Sequence, residues 1–510
     1  MSKEQLNFLL ITSDQQHYTT LGKVNPKIQT PALDRLCDEG VRFDRAYCPN
    51  PTCTPTRATL ITGMYPSQHG AWSLGTKLME DVTTLGDLFQ EAGYATSLVG
   101  KVHLQPLAST PEYPSLECQP TLRDLDFWKN FHGPWYGFDH VETARMHGDE
   151  SHAGQHYAIW MEENGLDNWK DYFQPWPPKA KADRDLYFTA PNRTWDLPEE
   201  MHYSVWTAER TIAQIERAVA ADRPFMTWAS FHDPHPPYIV PEPWAGMYDP
   251  DDMEIGSLTE GEHEKNPEHF RMTQEKSPDF QSHWPDDGAI HGGHSHLRDE
   301  AELRKDQAVY YGMTSLMDRE IGRILDSLDR LGVAHNTVVV FTTDHGHFLG
   351  QHGLIAKAIH HYEDLLRIPF IIRWPGQAPR GMVSSDIQNL VDIAPTFLAA
   401  AGLDVPVWMT GLDQTESWRG GQAVRDWSIT ENHHGNRGCH MHSFVTQRYK
   451  ITVYRSTDDG ELFDLQEDPG EVNNLWHEPD AQEIKKDLLL KFMQARMESE
   501  QTLMPRIAGA

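Results

Sequence analysis

Four short apolar segments, each followed directly by polar residues, most constrain the fold of this chain. They are residues 6–12, 93–99, 224–230 and 337–342. Each has the length and the largely apolar composition of a parallel strand that is buried on both faces. Amphipathic segments at 200–221 and 302–332 are long enough to serve as the crossover helices that parallel strands need. The sequence therefore predicts an α/β fold with a large, doubly wound, mostly parallel sheet.

The residues that follow these four segments carry much of the chemistry of the chain. They are, in chain order, Asp14, Gln15, Lys101, His103, His235, Asp344 and His345. Ligands of open α/β sheets bind outside the carboxyl ends of the strands. A single polar strand end is ordinary for a loop, whereas four of them together predict one polar crevice.

A cysteine precedes a proline that can open a helix in the stretch Cys53-Thr54-Pro55-Thr56-Arg57. Free backbone N–H groups and the positive end of the helix dipole meet at such a helix start, which suits an anionic nucleophile or an anionic substrate. Arg57, one turn further on, can add a fixed cation near the same point. Because a lone cysteine is more often buried and inert, the rest of the sequence has to decide between these interpretations.

The Cys53 segment, together with Leu60-Ile61-Thr62-Gly63 behind it, resembles the motif of the type I sulfatases of the alkaline phosphatase superfamily. Segments that match the family's Gly-Lys-x-His, Pro-His-x-Pro and Asp-His elements follow in the family's order, so the resemblance covers nearly the whole chain. It implies that a formylglycine-generating enzyme oxidises Cys53 after translation. The hydrated aldehyde of formylglycine would then attack a small anionic ester.

The resemblance also implies a site for one divalent metal ion. Asp14, Gln15, Asp344 and His345 would bind it together with the modified Cys53, and Asp344 would take the proton of the attacking hydroxyl. Mostly oxygen ligands indicate Ca²⁺, Mg²⁺ or Mn²⁺, and the imidazole favours Mn²⁺ among them, so we predict Ca²⁺ or Mn²⁺. Many sulfatases have two aspartates where this chain has Asp14-Gln15. In this respect the chain is similar to choline sulfatases and to the phosphonate monoester hydrolases of the superfamily.

Catalytic roles come from the same resemblance. Arg57, Lys101 and Lys357 would bind the anionic group and stabilise the charge that develops during transfer. His235, with Lys357, would protonate the departing oxygen. His103 would remove the proton whose loss releases the sulfate and regenerates the aldehyde.

Three functional interpretations stay open at this point. The first is hydrolysis of a sulfate monoester, which Lys101 and His103 favour because the phosphonate hydrolases lack this Lys-x-His pair. The second is a phosphonate monoester hydrolase or phosphodiesterase with the same nucleophile and metal. The third belongs to another class, a silent anion-binding protein that never receives its formylglycine.

Charge and cysteine content limit the partners and the compartment. The formal net charge of −31 argues against binding to nucleic acid or to a membrane surface, since both are polyanionic. The N-terminal residues lack the pattern of a secretory signal, and the five cysteines have no metal-type spacing. We therefore expect reduced thiols and a cytoplasmic protein.

The sequence changes character near its C-terminus. We predict a catalytic domain at 1–425 and a small antiparallel α+β domain at 426–510, with a hairpin at 449–465 and a helix at 480–500. The apolar tail at 503–510 predicts subunit contacts, hence a homo-oligomer. The acidic, histidine-rich stretch at 249–302 is interpreted as a loop rather than as a second metal site, because no supporting ligand spacing accompanies its histidines.

Overall fold

A computed structural model describes residues 5–175, 193–275, 279, 293–294, 299–357, 359–434, 438–504 and 507 of the chain. His291 and His296 of the histidine-rich stretch lie outside these residues, so the interpretation of that stretch stays a prediction. Within the described ranges, no helix combines the length and the apolar character needed to cross a membrane.

The core of the molecule is an eight-stranded sheet. Its strands are β1 (Asn7–Ser13), β2 (Val41–Phe43), β3 (Ala95–Gly100), β4 (His140–Thr143), β5 (Phe225–Ser230), β6 (Thr337–Thr343), β7 (Phe370–Arg373) and β8 (Met382–Ser384). Their order across the sheet is β8-β2-β7-β6-β1-β5-β3-β4. Strand β7 runs antiparallel to both of its neighbours, and every other pair in the sheet is parallel. The predicted fold class is thus confirmed.

Helices cover both faces of this sheet. The longer ones are α1 (Pro31–Glu39), α2 (Cys53–Thr62), α3 (Leu85–Glu91), α4 (Gln155–Glu163), α5 (Tyr203–Ala220), α6 (Glu300–Arg330) and α7 (Ile393–Ala401). Shorter ones are Pro66–His69, Leu125–Asn130, Glu268–Met272, Glu363–Leu366 and Thr415–Trp418. Short strands outside the main sheet are Ala46–Tyr47, Gly293–His294, Phe348–Leu349, Leu354–Ala356, Arg367–Ile368 and Gln388–Asn389.

Strand β1 illustrates why the central strands are apolar throughout. Successive side chains of a strand point to opposite faces. Phe8 and Leu10 pack in the cluster that includes α2 and α7, whereas Leu9 and Ile11 pack in the cluster that includes α1, α5 and α6. All seven residues of β1 are buried, as a strand between two layers of helices requires.

The four strands predicted from the apolar segments lie side by side as β6-β1-β5-β3. Ile11 of β1 pairs with Ala229 of β5 on one side and with Phe341 of β6 on the other. Because all four strands are parallel, their carboxyl ends meet at one edge of the sheet. The polar residues after them are therefore brought to the same place.

A separate antiparallel sheet follows the main body of the fold. Its strands, in spatial as well as chain order, are β9 (Trp427–His433), β10 (His440–Thr446), β11 (Tyr449–Tyr454) and β12 (Gly460–Asp464). Helix α8 (Gln482–Glu498) packs on it, and the rings of Phe444 and Phe492 stack at 5.3 Å. The predicted hairpin and terminal helix are confirmed, whereas the domain boundary at residue 425 stays a prediction.

Candidate active site

Cys53 begins helix α2 and is only 1% exposed. Its Sγ lies 3.1 Å from Nζ of Lys357, 3.3 Å from Nε2 of His345 and 3.8 Å from Oδ1 of Asp14. Burial alone would raise the pKa of the Cys53 thiol, but Lys101, Lys357 and Arg57 outweigh both burial and Asp344 and lower that pKa. The position therefore favours a negatively charged group, in contrast to that of an inert buried cysteine.

Lys357 connects Cys53 to two histidines. Its Nζ lies 3.4 Å from Nε2 of His235 and 3.3 Å from Nε2 of His345. The Nδ1–H of His235 donates to the carbonyl oxygen of Pro236, so Nε2 of this neutral ring has a lone pair that accepts from the lysine. Burial places the pKa of His235 well below its usual value, which makes Lys357 the proton carrier of the pair.

Arg57 is fully buried and acts through Asp344. Its Nε donates to Oδ2 of Asp344 at 3.0 Å, and its Nη1 donates to Oγ of Ser230 at 2.7 Å and to the carbonyl oxygen of Lys101 at 3.0 Å. The guanidinium thereby joins α2 to the ends of β6, β5 and β3. It adds the predicted cation near Cys53 and also braces the loops that carry the site.

Lys101 is positioned by the glycine before it. Gly100 has φ = 109°, and a Cβ there would lie 1.9 Å from the carbonyl oxygen of Ser230, so the close approach of β3 to β5 requires glycine. The backbone N–H of Lys101 donates to that same carbonyl oxygen at 2.9 Å. The Lys101 ammonium, fully buried, forms an ion pair with Asp14.

Four side chains could hold a metal ion, and their arrangement fits one. The ligand atoms of Asp14, Cys53, Asp344 and His345 all lie within 4.8 Å of one another. The Nδ1–H of His345 donates to the carbonyl oxygen of Gly346 at 3.0 Å, so the lone pair of the ring is on Nε2, on the side of Cys53 and Lys357. Burial lowers the pKa of His345 to about 4, so the ring is neutral as a metal ligand must be.

Gln15 and the two carboxylates support the same conclusion. Oε1 of Gln15 is buried and has no hydrogen-bond partner among the described residues. Burial and the neighbouring Asp344 raise the pKa of Asp14, whereas the pKa of Asp344 is lowered, against burial, by His345, Arg57 and Lys101. Two carboxylates this close resist ionising together unless a cation lies between them. The donors present therefore fit a hard divalent cation.

Comparison with known proteins identifies the family. A family model described as Sulfatase matches residues 6–403, which is most of the 510-residue chain. The chain belongs to the sulfatase family. Sulfatases are sulfuric ester hydrolases, and the chain is therefore an enzyme of that class. A second model, described as N-sulphoglucosamine sulphohydrolase, C-terminal, matches residues 350–498 of this sulfatase.

Individual relatives align with the sulfatase over nearly its whole length. It is 28% identical to the uncharacterized sulfatase YidJ of Escherichia coli (strain K12), over 96% of this chain and 87% of that protein. It is 27% identical to an arylsulfatase of Clostridium perfringens (strain 13 / Type A), over 96% and 95% of the two chains. The crystal structure of a phosphonate monoester hydrolase of Agrobacterium radiobacter has the same fold, with a TM-score of 0.79, 22% identity and coverage of 98% and 97%.

The structure of this sulfatase adds two residues that the sequence did not single out. His147 accepts a hydrogen bond from Lys101 at 2.6 Å, and its ring stacks on that of His235 with centroids 3.7 Å apart. Arg145 donates to Nε2 of His103 at 2.7 Å. Both residues follow β4 (His140–Thr143), the polar edge strand. This strand also ends at the crevice, but its sequence, His-Val-Glu-Thr, has no apolar run that would have marked it.

His103 lies at the margin of the cluster. Its backbone N–H donates to Glu117 at 2.8 Å, and its ring centroid lies 6.3 Å from that of His147. Burial, together with Arg145 and Lys101, places the pKa of His103 well below its usual value. The ring is therefore neutral, its Nε2 lone pair accepts from Arg145, and its proton is on Nδ1. The role of His103 as proton acceptor stays a prediction.

A buried ion pair supports the segment that carries Lys357. Nδ1 of His352 lies 3.0 Å from Oε1 of Glu262, its Nε2 lies 3.5 Å from Oδ2 of Asp364, and its ring stacks on Tyr362 at 3.5 Å. Burial disfavours the charge on His352, but Asp364 and Glu262 outweigh it and raise the pKa from 6.5 to about 9. The His352 imidazolium thus stabilises the fold through ion pairs and has no role in the proposed catalytic reaction.

We expect the stabilising effect of His352 to depend on pH. Because its folded-state pKa is raised, its contribution is complete below the unfolded value of 6.5 and is lost as the pH rises through about 9. His352→Asn should therefore lose about 2 kcal/mol of unfolding free energy near neutral pH and much less near pH ~10. Urea unfolding at both pH values measures this difference. His156→Asn is the matched control, since the pKa of that buried histidine is lowered to about 4 and it does not titrate in this window. Equal losses for His352→Asn at both pH values would contradict the assignment.

Proposed function

We propose that this sulfatase hydrolyses a sulfate monoester by cleaving the S–O bond, with a formylglycine made from Cys53 as nucleophile. The observation that carries the proposal is the convergence of buried cations on Cys53. Nζ of Lys357 lies 3.1 Å from its Sγ, and Lys101 and Arg57 each contact a carboxylate beside it. A small dianionic or monoanionic ester needs such a concentrated positive site in a chain whose net charge is −31.

Two groups complete the proposed site. Asp14, Gln15, Asp344 and His345 would hold one Ca²⁺ or Mn²⁺ ion, which would supply Lewis-acid stabilisation of charge on the transferred group. Formylglycine at position 53 would supply, as its hydrate, a hydroxyl nucleophile and a second hydroxyl for release of the product.

The side chains of the chain itself bind the ester and move the protons. Lys101 and Lys357 orient the sulfate oxygens and stabilise the charge that develops on them. The Lys357–His235 pair delivers a proton to the departing oxygen. Lys357 holds this proton, and its hydrogen bond to Nε2 of the neutral His235 keeps the two groups together. His103 takes up the proton that is lost on release. The buried cluster excludes water, which strengthens each of these interactions.

Maturation and partners are part of the proposal. A formylglycine-generating enzyme would convert Cys53, and because this residue is only 1% exposed, it would have to act before α2 packs against the sheet. The exposed Leu503, Met504 and Ile507 are compatible with a homo-oligomer.

A phosphonate monoester hydrolase or phosphodiesterase is the second candidate. Gln15 in place of a second aspartate and His345 are compatible with this activity as well as with hydrolysis of a sulfate ester. The Agrobacterium radiobacter enzyme, a phosphonate monoester hydrolase, shares the fold. A silent anion-binding protein is the third candidate. It would bind sulfate at the same cations without turnover.

We expect the purified protein to hydrolyse 4-nitrophenyl sulfate with a kcat/KM at least about 10-fold above that for a 4-nitrophenyl phosphonate monoester. The mass of the peptide of residues 46–57 should show an aldehyde at position 53 and a thiol at Cys48. A preference for the phosphonate ester would favour the second candidate. Sulfate binding without turnover, with an intact Cys53 thiol after co-expression with the maturing enzyme, would favour the third.

A further inference from the structure

The side-chain amide of Gln15 has two chemically different ends, and only its oxygen can bind a cation. Nε2 of Gln15 lies 2.9 Å from Nδ1 of His347, whereas Oε1 is buried with no partner among the described residues. A buried amide oxygen left unpaired costs about 1–3 kcal/mol. The backbone N–H of Gln15 donates to Oδ1 of Asp344 at 2.9 Å, which holds the residue against the carboxylate cluster. The backbone of Gln15 is thus fixed beside the cluster, and its side-chain oxygen is left without a partner that a bound cation could supply.

His347 holds the nitrogen end of this amide. Because an amide nitrogen only donates, Nδ1 of His347 must accept, and the ring proton is on Nε2. Nε2 lies 2.9 Å from the hydroxyl oxygen of Tyr238, to which it donates. The ring also stacks on Tyr310 with centroids 4.7 Å apart and planes 8° from parallel. Tyr310 in turn donates to the backbone oxygen of Gln15 at 2.8 Å, so ring and amide are held in one frame.

Turning the Gln15 amide over would break this arrangement. The amide oxygen would then face the Nδ1 lone pair, and the proton of His347 would have to move from Nε2 to Nδ1. The NH₂ group would at the same time face the cation site, where it would repel a divalent ion. The contacts of His347 therefore stabilise the orientation of the Gln15 amide in which its oxygen can bind a cation, and they disfavour the reversed orientation.

We propose that His347, held by Tyr238, is a positioning residue that turns the oxygen of Gln15 toward the cation site. This inference rests on the proposed function, because it takes Gln15 as a ligand of the divalent cation. In this role His347 contacts Gln15, Tyr238 and Tyr310 and would contact neither the cation nor the ester. Residues that orient a metal ligand in this way commonly contribute a factor of about 10–100 to metal affinity.

The test measures cation affinity rather than activity. The purified full-length protein is stripped with a chelator and titrated calorimetrically with Mn²⁺ alone and with Ca²⁺ alone. His347→Phe keeps a ring to stack on Tyr310 but removes the acceptor, and we expect it to weaken affinity about 10–100-fold. His347→Asn keeps an acceptor near the position of Nδ1 and should stay within about 3-fold of the unsubstituted protein.

A second background separates positioning from general damage. Gln15→Glu replaces the amide with a carboxylate whose two oxygens are equivalent, so its orientation no longer matters. His347→Phe should therefore cost less than about 3-fold in the Gln15→Glu background. An equal loss in both backgrounds would overturn the proposal, since His347 would then act only through the fold. Circular dichroism of the metal-free proteins checks folding, and Tyr238→Phe provides a milder change in case His347→Phe does not fold.

The outcomes also distinguish this inference from the proposed function. If the unsubstituted protein binds neither cation, the metal requirement fails and the inference fails with it. If it binds a cation, and Asp344→Asn weakens binding while His347→Phe does not, the inference alone is wrong. The inference is supported if His347→Phe weakens cation affinity in the protein with Gln15 but not in the Gln15→Glu variant, and if His347→Asn keeps the affinity of the unsubstituted protein.

Discussion

Cys53→Ala and Cys53→Ser should each reduce the turnover of a sulfate ester by about 10⁴-fold or more while leaving the fold intact. The thiol Sγ lies within 3.8 Å of Asp14, His345 and Lys357, so a group at this position contacts two of the proposed metal ligands and one of the proposed sulfate-binding lysines. Neither alanine nor serine provides the hydrated aldehyde that the proposed function requires. Steady-state kinetics with 4-nitrophenyl sulfate and thermal unfolding of the same preparations measure the two effects.

Cys48 is the matched control for this substitution. It lies five positions earlier, is also fully buried, and donates through its Sγ to the carbonyl oxygen of Leu365 at 3.7 Å. Burial raises its pKa well above the usual value, as expected of an inert thiol. Cys48→Ala should therefore lose some stability but keep its turnover. Full activity in Cys53→Ala or in Cys53→Ser would exclude the formylglycine mechanism.

The central sheet could be predicted from the sequence because strands that are buried on both faces have an apolar composition throughout. Strands β1 and β6 are almost continuous runs of apolar and β-branched residues, and no solvent-exposed face interrupts them. Once these strands are parallel and adjacent, the residues after them must meet. This is why Asp14 and Asp344, more than three hundred positions apart in the chain, could be placed in one crevice.

His147 and Arg145 escaped prediction for the opposite physical reason. The strand before them, β4 (His140–Thr143), pairs with β3 and with no second strand among the described residues. It includes Glu142, which accepts from Arg210 at 2.7 Å. An edge strand with a polar face shows no apolar run. Its end therefore could not be recognised as a fifth contributor to the crevice.

The hydrogen-bond and ion-pair partners of individual side chains could not be predicted from the sequence either. The cation of Arg57 could be expected near Cys53, but its hydrogen bonds to Asp344 and Ser230 depend on how two distant strands end. The ion pair of His352 joins residues from three separate segments, and no local spacing marks it. Such contacts are decided by tertiary packing, which periodicity and local motifs do not encode.

Asp344→Asn should have the second large effect, because it removes a charge without changing the shape of the side chain. Oδ1 of Asp344 accepts from the backbone N–H groups of Gln15 and His345 at 2.9 and 3.0 Å, and Oδ2 accepts from Nε of Arg57 at 3.0 Å. An asparagine must place its NH₂ group against one of these donors. We expect cation affinity to fall about 100-fold or more, and kcat/KM about 10³-fold even at saturating cation.

Asp392→Asn is the control that distinguishes the effect of losing a metal ligand from the effect of losing a buried carboxylate. Asp392 is 2% exposed and accepts from Nη2 of Arg425 at 2.6 Å and from the backbone N–H of Leu412 at 2.8 Å, a pattern similar to that of Asp344. Its substitution should cost about 1–3 kcal/mol of unfolding free energy and leave cation affinity unchanged. If Asp344→Asn behaved like Asp392→Asn, with stability lost but cation affinity and kcat/KM retained, Asp344 would be a structural partner of Arg57. Both variants weaken an arginine–carboxylate pair, but only Asp344→Asn removes a proposed metal ligand. A loss of cation binding in Asp344→Asn alone would therefore identify the cluster at the end of β6 as the metal centre.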